Sequence, residues 1–306
     1  MVGGSSLRSE PNVKTNTKLS ALILFLGPSL IVIFVFFFLP VFAAFTMSFT
    51  DFDIYSLGNF DYLRVTGFDN YKKLLNEPLF WTALKNTFYF VLVGGPLSVA
   101  ASLGTALLLN SKLIKYKSIF RMIYFLPVVT TLVAVSIVWR YFYHPRFGLL
   151  NYILSFIGLG PFDWLGDPDL AMPAIIILAV WKNFGYNMII FIAGLQNIPE
   201  DLYEAASIEG ATAWQQFKHI TIPQLAPTTL FISVITMIGY FQLFAEPYVM
   251  TQGGPLNSTL SIVLYMYQEG FRWWNIGYST AIAFALFIII LIGTLIQFRL
   301  QKESGA

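Results

Sequence analysis

The chain alternates long apolar stretches with shorter polar ones, and this alternation predicts its elements. A helix that crosses the hydrocarbon core of a bilayer, about 30 Å thick, needs about 20 mainly apolar residues. Six stretches meet that requirement, approximately residues 19–46, 87–109, 119–142, 172–194, 225–245 and 278–298. The pattern therefore predicts an all-α membrane protein with six transmembrane helices.

The same pattern predicts one domain between two short tails. Residues 1–18, rich in Gly, Ser, Asn, Thr and Lys, are expected to form a flexible cytoplasmic tail. Residues 19–300 form the six-helix domain, and residues 301–306 form a second cytoplasmic tail. The first apolar stretch is too long for a secretion signal and has no small-residue cleavage pattern after it, so we expect it to remain as a helix.

The composition supports a membrane protein. Hydrophobic residues make up 57% of the chain and charged residues only 11%, against about a quarter charged in soluble domains. A soluble protein with helices this apolar would need polar partners that the chain does not supply. The net charge of +2 is small and has no basic patch with it, so membrane lipid is an expected partner and nucleic acid is not.

The positions of Lys and Arg predict the orientation, because positively charged loops tend to stay in the cytoplasm. Basic residues precede the first stretch, join the second to the third and follow the sixth, while the first and third connecting loops are acidic. The basic residues are Arg8, Lys14, Lys18, Lys112, Lys115, Lys117, Arg121, Arg299 and Lys302. Both termini are therefore predicted to be cytoplasmic.

Neither metal binding nor catalysis is expected. The chain has no cysteine, and its two histidines, His144 and His219, lie on opposite sides of the membrane in the predicted topology. No paired histidines or carboxylates occur at helical spacing within the apolar stretches, so we expect no catalytic residues and disfavour an intramembrane enzyme. No Gly-Lys pair occurs either, so the chain lacks the loop that cradles nucleotide phosphates.

The loop between the fourth and fifth stretches, about residues 200–223, is unusual because it is acidic where the topology favours basic residues. We predict a helix over 201–209, a turn at Gly210 and a second helix over 212–219, with Pro223 and Pro227 fixing the return into the membrane. Small residues followed by the apolar Trp214, Phe217 and Ile220 are typical of a knob that seats in a partner's groove.

The residues of this loop resemble the EAA loop of permease subunits of ATP-binding-cassette (ABC) importers. The matching residues are Glu204, Ala205, Ala206, Gly210, Ala211, Phe217, Ile220 and Pro223. Glu209 stands where the family usually has Asp, and the charge is kept. Segments 68–75, 181–187, 251–255 and 258–259 are similar to carbohydrate permeases of the maltose and glycerol-phosphate type. The resemblance covers about residue 20 to the C-terminus, although the loop at 50–86 is too short for the exterior domain of the maltose protein.

The resemblance implies a type I importer permease fold in the cell's inner (cytoplasmic) membrane and a subunit that moves a sugar or sugar-like solute by alternating access. It implies four kinds of contact: a second, non-identical six-helix permease, two ATPase subunits that hold ATP and Mg, an extracytoplasmic solute-binding protein, and lipid. The implied ATPase-coupling residues are Glu204, Ala205, Ala206, Glu209, Gly210, Ala211, Phe217 and Pro223. For Glu204 an alternative remains, a helix-start carboxylate favoured by the helix dipole.

Polar residues inside the apolar stretches indicate a substrate path, because a charge at mid-bilayer costs roughly 2.5 to 3.5 kcal/mol. Lys182 lies near the centre of the fourth stretch, and hydroxyl residues recur on one face of the fifth. The candidates are Lys182, Asn183, Tyr186, Asn187, Ser233, Thr236, Tyr240 and Leu243, with Tyr186, Thr236, Tyr240 and Leu243 also implied by alignment with the maltose permease. Lys182 can instead form a structural ion pair with Glu246, and the hydroxyls can instead bond helices together.

A secondary carrier driven by an ion gradient is the alternative function. Such a carrier needs intramembrane carboxylates to bind protons or sodium, and only Glu246 comes near the hydrocarbon.

Overall fold

The computed structural model describes residues 15–111 and 114–304. Within these ranges the chain is helical apart from loops and one isolated β-bridge between Thr50 and Val65. Five spans are long and apolar enough to cross a membrane: the first, Ala21–Met47; the second, Pro78–Asn110; the fourth, Pro168–Gln196; the fifth, Ala226–Met250; and the sixth, Ile276–Leu300. The protein is therefore a multi-pass membrane protein.

The prediction of one continuous third helix over 119–142 is wrong. The structure has two helices there, Lys117–Val129 and Leu132–Phe142, bent by 100° at the break between them. The spans number six only if this bent pair, the third span, counts as one. Pro127 lacks an N–H to donate in the last turn of the first half, and Thr130 and Thr131 are extended, so the helical bonding stops.

The other boundaries differ from the prediction mainly in length. The first helix begins at Thr15 rather than residue 19, and the last continues to Ser304. Each helix therefore extends into the segment that was predicted to be a tail. Residues 1–14 and 305–306 lie outside the described residues. The fifth span is interrupted, since one helix ends at Phe241 and the next, Ala245–Met250, begins after three non-helical residues.

The fourth span is the central helix of the bundle. It packs against the second, third and fifth spans, and over half of its most apolar segment is buried, whereas the equivalent segment of the first span has no buried residue. Small residues allow this close packing. A Cβ at Gly185 would meet the backbone oxygen of Tyr124 in the third span, and a Cβ at Gly194 would meet Thr228 in the fifth.

Side chains tie the second span to the segment between the fifth and sixth. Asn86 donates from Nδ2 to the carbonyls of Asn257 and Leu260, at 2.8 and 3.0 Å. The hydroxyl of Thr87 accepts from the backbone N–H of Ile262 at 3.0 Å. These bonds hold the loop after Met250 against the bundle and position the end of the fifth span.

We predict that Gly185→Ala lowers the stability of the protein by about 1 to 3 kcal/mol, because the added methyl group forces apart two packed backbones. The matched control is Gly104→Ala, since Gly104 is also inside a spanning helix but has open space around its Cβ position. The control should be neutral or stabilising by up to about 1 kcal/mol. Thermal unfolding in detergent measures both, and equal melting temperatures would contradict the assigned contact.

Candidate solute cavity and coupling surface

A cavity of about 600 Å³ lies among the second, third, fourth and fifth spans. We call it the solute cavity. Its walls include most of the polar side chains predicted for a substrate path. Its principal lining residues are Phe90, Val128, Leu132, Lys182, Asn183, Tyr186, Asn187, Thr236, Tyr240, Gln242, Leu243 and Glu246. A mainly apolar cleft of this size with a few convergent polar groups is typical of a small-molecule site.

Both interrupted spans border the solute cavity. Val128 and Leu132 flank the break of the third span, and Gln242, Leu243 and Glu246 flank that of the fifth. Non-helical backbone is tolerated at membrane depth where it is buried in protein or lines a water-filled cavity. Interrupted spanning helices are also where transporters place their binding sites.

Lys182 is buried, with 8% of its surface exposed, and its ammonium lines the solute cavity. Its Nζ donates a hydrogen bond to the backbone carbonyl of Val128 at 3.1 Å. That carbonyl belongs to the last turn before the break in the third span, where carbonyls have no helical partner. The expected alternative, an ion pair with Glu246, is not formed, because in the part of the chain described here the only ion pair joins Lys72 to Asp69.

The other predicted residues of the fourth span have separate environments. Asn187 is buried and donates from Nδ2 to the hydroxyl of Thr236 at 3.0 Å, which links the fourth and fifth spans. Asn183 donates to the carbonyl of Ala179 in its own helix at 3.0 Å. Tyr186 is exposed at the cavity wall.

Tyr240 lines the solute cavity and carries a buried hydroxyl that has no hydrogen-bond partner in the described structure. The residue is 5% exposed, and its ring packs on Phe90 with centroids 4.8 Å apart. Polar atoms of Ser98 and Asn183 lie near the hydroxyl, but neither meets hydrogen-bond geometry. A buried hydroxyl without a partner is costly, which makes Tyr240 a candidate for contact with a bound solute.

One predicted residue of the fifth span, Ser233, lies outside the solute cavity, whereas Leu243 lines it as expected. Ser233 does not reach the solute cavity and instead lines a second groove of about 490 Å³ with Thr236 and Gln297. Ser233 lies about 10 Å along the helix axis from Tyr240, in the part of the fifth span that packs against the second and sixth spans. Leu243 lines the solute cavity, and its carbonyl accepts from the Ser261 hydroxyl at 2.5 Å.

Glu246 and Gln242 are cavity residues that were not among the predicted candidates. Glu246 was expected near the outer end of the fifth span, yet it lines the same cavity as Lys182 and is only 6% exposed. The signal in the sequence was a carboxylate within an apolar stretch. Its position relative to Lys182 depends on the interruption at Gln242, which sequence periodicity does not reveal.

The polar segment between the fourth and fifth spans, residues 199–225, forms a second surface that we call the coupling segment. A helix runs from Glu200 to Ile208, and Gly210 then turns the chain with a φ of +79°. That conformation favours glycine because it lacks a Cβ. The predicted order of helix, turn at Gly210 and helix is confirmed.

The second helix of the coupling segment extends further than predicted. Thr212 is its N-cap in a reciprocal capping box with Gln215, and the helix continues through a π-helical turn, Phe217–Thr221, to Gln224. Only a short turn at Leu225 separates it from the fifth span. Pro223 therefore lies inside a helical turn and does not end it.

The two helices of the coupling segment are held together by polar contacts. Gln216 donates from Nε2 to the Ser207 hydroxyl at 2.9 Å, and the Tyr203 and Thr221 hydroxyls lie 2.9 Å apart. Between the helices lies a hollow of about 360 Å³, lined by Ala206, Glu209, Gly210, Ala211, Gln215, Gln216, His219 and Ile220.

The other predicted coupling residues lie on this surface or beside it. Glu204 and Ala205 are exposed, and Phe217 is half-buried with its ring 5.5 Å from the exposed Trp214. The helix begins at Glu200, so Glu204 lies in its middle and is not the helix-start carboxylate of the alternative interpretation. In the described chain Glu204 forms no ion pair, which leaves its charge free for a partner.

Known proteins are similar to this chain in sequence and in fold. Residues 22–303 match the family described as binding-protein-dependent transport system inner membrane component. The chain is 37% identical to the lactose transport system permease protein LacF of Rhizobium radiobacter, over 92% of this chain and 93% of that protein. It is also 37% identical to the arabinooligosaccharides transport system permease protein AraP of Bacillus subtilis, over 93% and 90%.

A solved structure is similar over nearly its whole length. It is that of a bacterial ABC transporter involved in the import of the acidic polysaccharide alginate. The TM-score is 0.76 at 25% sequence identity, and the match covers 94% of this chain and 96% of the other.

A helical membrane bundle with a polar cavity between interrupted spans defines a class, the transport permeases. This chain belongs to the family of binding-protein-dependent transport system inner membrane components. It is a transport subunit and not an enzyme, and its relatives are sugar permeases of ABC transporters, which confirms the resemblance found in the sequence.

We predict that Tyr240→Phe leaves the fold intact, or stabilises it slightly, and reduces the affinity for solute. The substitution removes a buried hydroxyl that has no partner in the described structure and that we expect to bond to the solute when it binds. Thermal unfolding and solute binding to the purified importer are the two measurements. Unchanged binding would remove Tyr240 from the solute path.

The matched control is Tyr265→Phe, which should show the opposite pattern. The Tyr265 hydroxyl is buried 3.2 Å from that of Tyr278, away from the solute cavity. Its removal should cost about 1 kcal/mol of stability and leave solute binding unchanged.

Proposed function

We propose that this chain is the transmembrane permease subunit of an ATP-driven, binding-protein-dependent importer for a sugar or sugar-like solute. It lies in the cytoplasmic membrane as six spans, counting the bent third span as one, with both termini in the cytoplasm. The observation that carries the proposal is the coupling segment, a rigid pair of short helices that follows the EAA sequence pattern and presents an unpaired carboxylate, Glu204.

In this proposal ATP and Mg bind to two separate ATPase subunits, because this chain has no phosphate-binding loop. The ATPases seat on the coupling segment at Glu204, Ala205, Ala206, Glu209, Gly210, Ala211, Phe217 and Pro223. Their closure on ATP moves the segment and the two spans that it joins. The solute cavity then changes the side to which it opens, which is alternating access by a shift between conformations.

The sugar class is supported by the relatives and by the cavity. The relatives include permeases named for lactose and for arabinooligosaccharides. The solute cavity offers amides, a phenol and charged groups, and sugar hydroxyls both donate to and accept from such groups. An extracytoplasmic solute-binding protein delivers the sugar, a role supported by the family's description as binding-protein-dependent.

A second permease, different in sequence, completes the translocation path. The solute cavity opens at the side of this subunit to the exposed Tyr186, so the facing wall is supplied by another chain. The remaining exposed apolar surface of the spans faces lipid.

We expect Glu204→Lys to reduce recovery of the ATPase subunits with the permease by about tenfold or more, because a docking carboxylate would pair with a basic group of the ATPase and the lysine would repel that group. Co-purification of the assembled importer and its ATP hydrolysis in liposomes are the two readouts. The control is Asp69→Lys, which makes the same reversal on an exposed helix in a different loop. Full recovery of the ATPase subunits with Glu204→Lys would contradict the docking role of Glu204.

An importer of this kind also stops when ATP is removed. Uptake that persists in ATP-depleted liposomes and collapses with the ion gradient would instead identify a secondary carrier.

A further inference from the structure

We propose that Lys182 and Glu246 select solutes by charge, and that together they restrict the solute cavity to saccharides without net charge. The inference rests on the proposed saccharide function and names the substrate class of the same site. It assigns to Glu246 a role that the sequence did not suggest.

The first observation is the charge inventory of the cavity wall. Among the described residues that line it, only Lys182 and Glu246 carry a formal charge, and these are one cation and one anion. The other polar groups are amides and hydroxyls. This wall therefore contributes no net charge to the space that a solute occupies.

The second observation is that the two charges are buried but kept apart. Their exposed fractions are 8% and 6%, yet no ion pair within 4.0 Å joins them in the described structure. The Lys182 ammonium is held by the Val128 carbonyl at 3.1 Å, which fixes its position without neutralising it. Opposite charges that line one cavity attract one another across it.

Separated charges of this kind suit a neutral polyol. A sugar hydroxyl can donate to the Glu246 carboxylate while another accepts from the Lys182 ammonium, so both buried groups gain a partner. An acidic sugar would add a second negative charge beside Glu246, and an amino sugar would add a second positive charge beside Lys182. Inside a protein such like-charge contacts are more unfavourable than they are in water.

The balance also predicts how selectivity changes when one charge is removed. Glu246→Gln keeps the shape of the side chain and leaves Lys182 as an uncompensated buried cation. The cavity should then favour a solute that brings a negative charge. Lys182→Met leaves an uncompensated carboxylate, so it should favour a solute that brings a positive charge. The double variant has no formal charge on this wall and should again prefer a neutral solute.

The test is equilibrium binding to the complete importer in nanodiscs without its solute-binding protein, so that the cavity itself makes the selection. The probes are three neutral disaccharides, namely lactose, maltose and trehalose, the acidic disaccharide digalacturonate, and the cationic disaccharide of glucosamine. Proteoliposome uptake with the solute-binding protein is measured in parallel. Asp69→Asn and Lys72→Met remove the same charges from an exposed ion pair outside the cavity and serve as matched controls.

We expect the native importer to bind at least one neutral disaccharide and neither charged one. Glu246→Gln should raise the ratio of acidic to neutral binding by about tenfold or more, and Lys182→Met should do the same for the cationic sugar. The double variant should return both ratios to the native values, which loss of a merely structural contact would not do. If one single variant does not assemble, the binding ratios of the other are sufficient for the test.

Binding of digalacturonate by the native importer as tightly as the neutral sugars would overturn the inference and leave the saccharide function standing. The same holds if the ratios in an assembled single variant equal those of the controls. If neither binding nor uptake of any saccharide is detected, the proposed sugar function itself fails, and the inference fails with it.

Discussion

The structure depends on one constraint, which is that every backbone N–H and C=O inside a bilayer must find a partner within the protein. Continuous helices satisfy the constraint by themselves, but the third and fifth spans are interrupted. The protein meets the resulting demand with side chains. Lys182 donates to the Val128 carbonyl at the first interruption, and Ser261 donates to the Leu243 carbonyl at the second. Polar side chains therefore concentrate where the backbone is broken.

This concentration explains why the solute cavity is where it is. Interrupted backbone is unfavourable against lipid, so both interruptions face inward, and the inward space between them becomes the cavity. The fourth span is one uninterrupted helix in the middle of the bundle and carries four of the lining polar residues. Its regularity gives those side chains a fixed frame, and the two interrupted spans supply the other walls.

The cavity and the coupling segment are connected through the same two helices. The fourth span continues into the helix that begins at Glu200, and the fifth follows the second coupling helix after a short turn. Buried apolar residues at this junction, including Leu195, Ile198 and Leu225, form one packed cluster, and Tyr203 and Ile220 of the coupling segment pack against it. Packed cores shift as units and do not deform continuously, so under the proposed mechanism a displacement of the coupling segment would be transmitted to the walls of the cavity.

The sequence was sufficient for the properties that depend on local chemistry. Apolar length identified the spans, since bilayer thickness sets that length directly. The turn at Gly210 was predictable because few other residues adopt a positive φ, and the residues around it revealed the family. Lys182 and Tyr240 were found because polar side chains are rare in apolar stretches. Only tertiary packing decided the bend of the third span, the separate groove of Ser233 and the approach of Glu246 to the cavity of Lys182. Each of these features depends on which neighbouring helix donates to a free carbonyl or packs against a given part of a span. Contacts between residues that are distant in the chain produce no periodic pattern in the sequence.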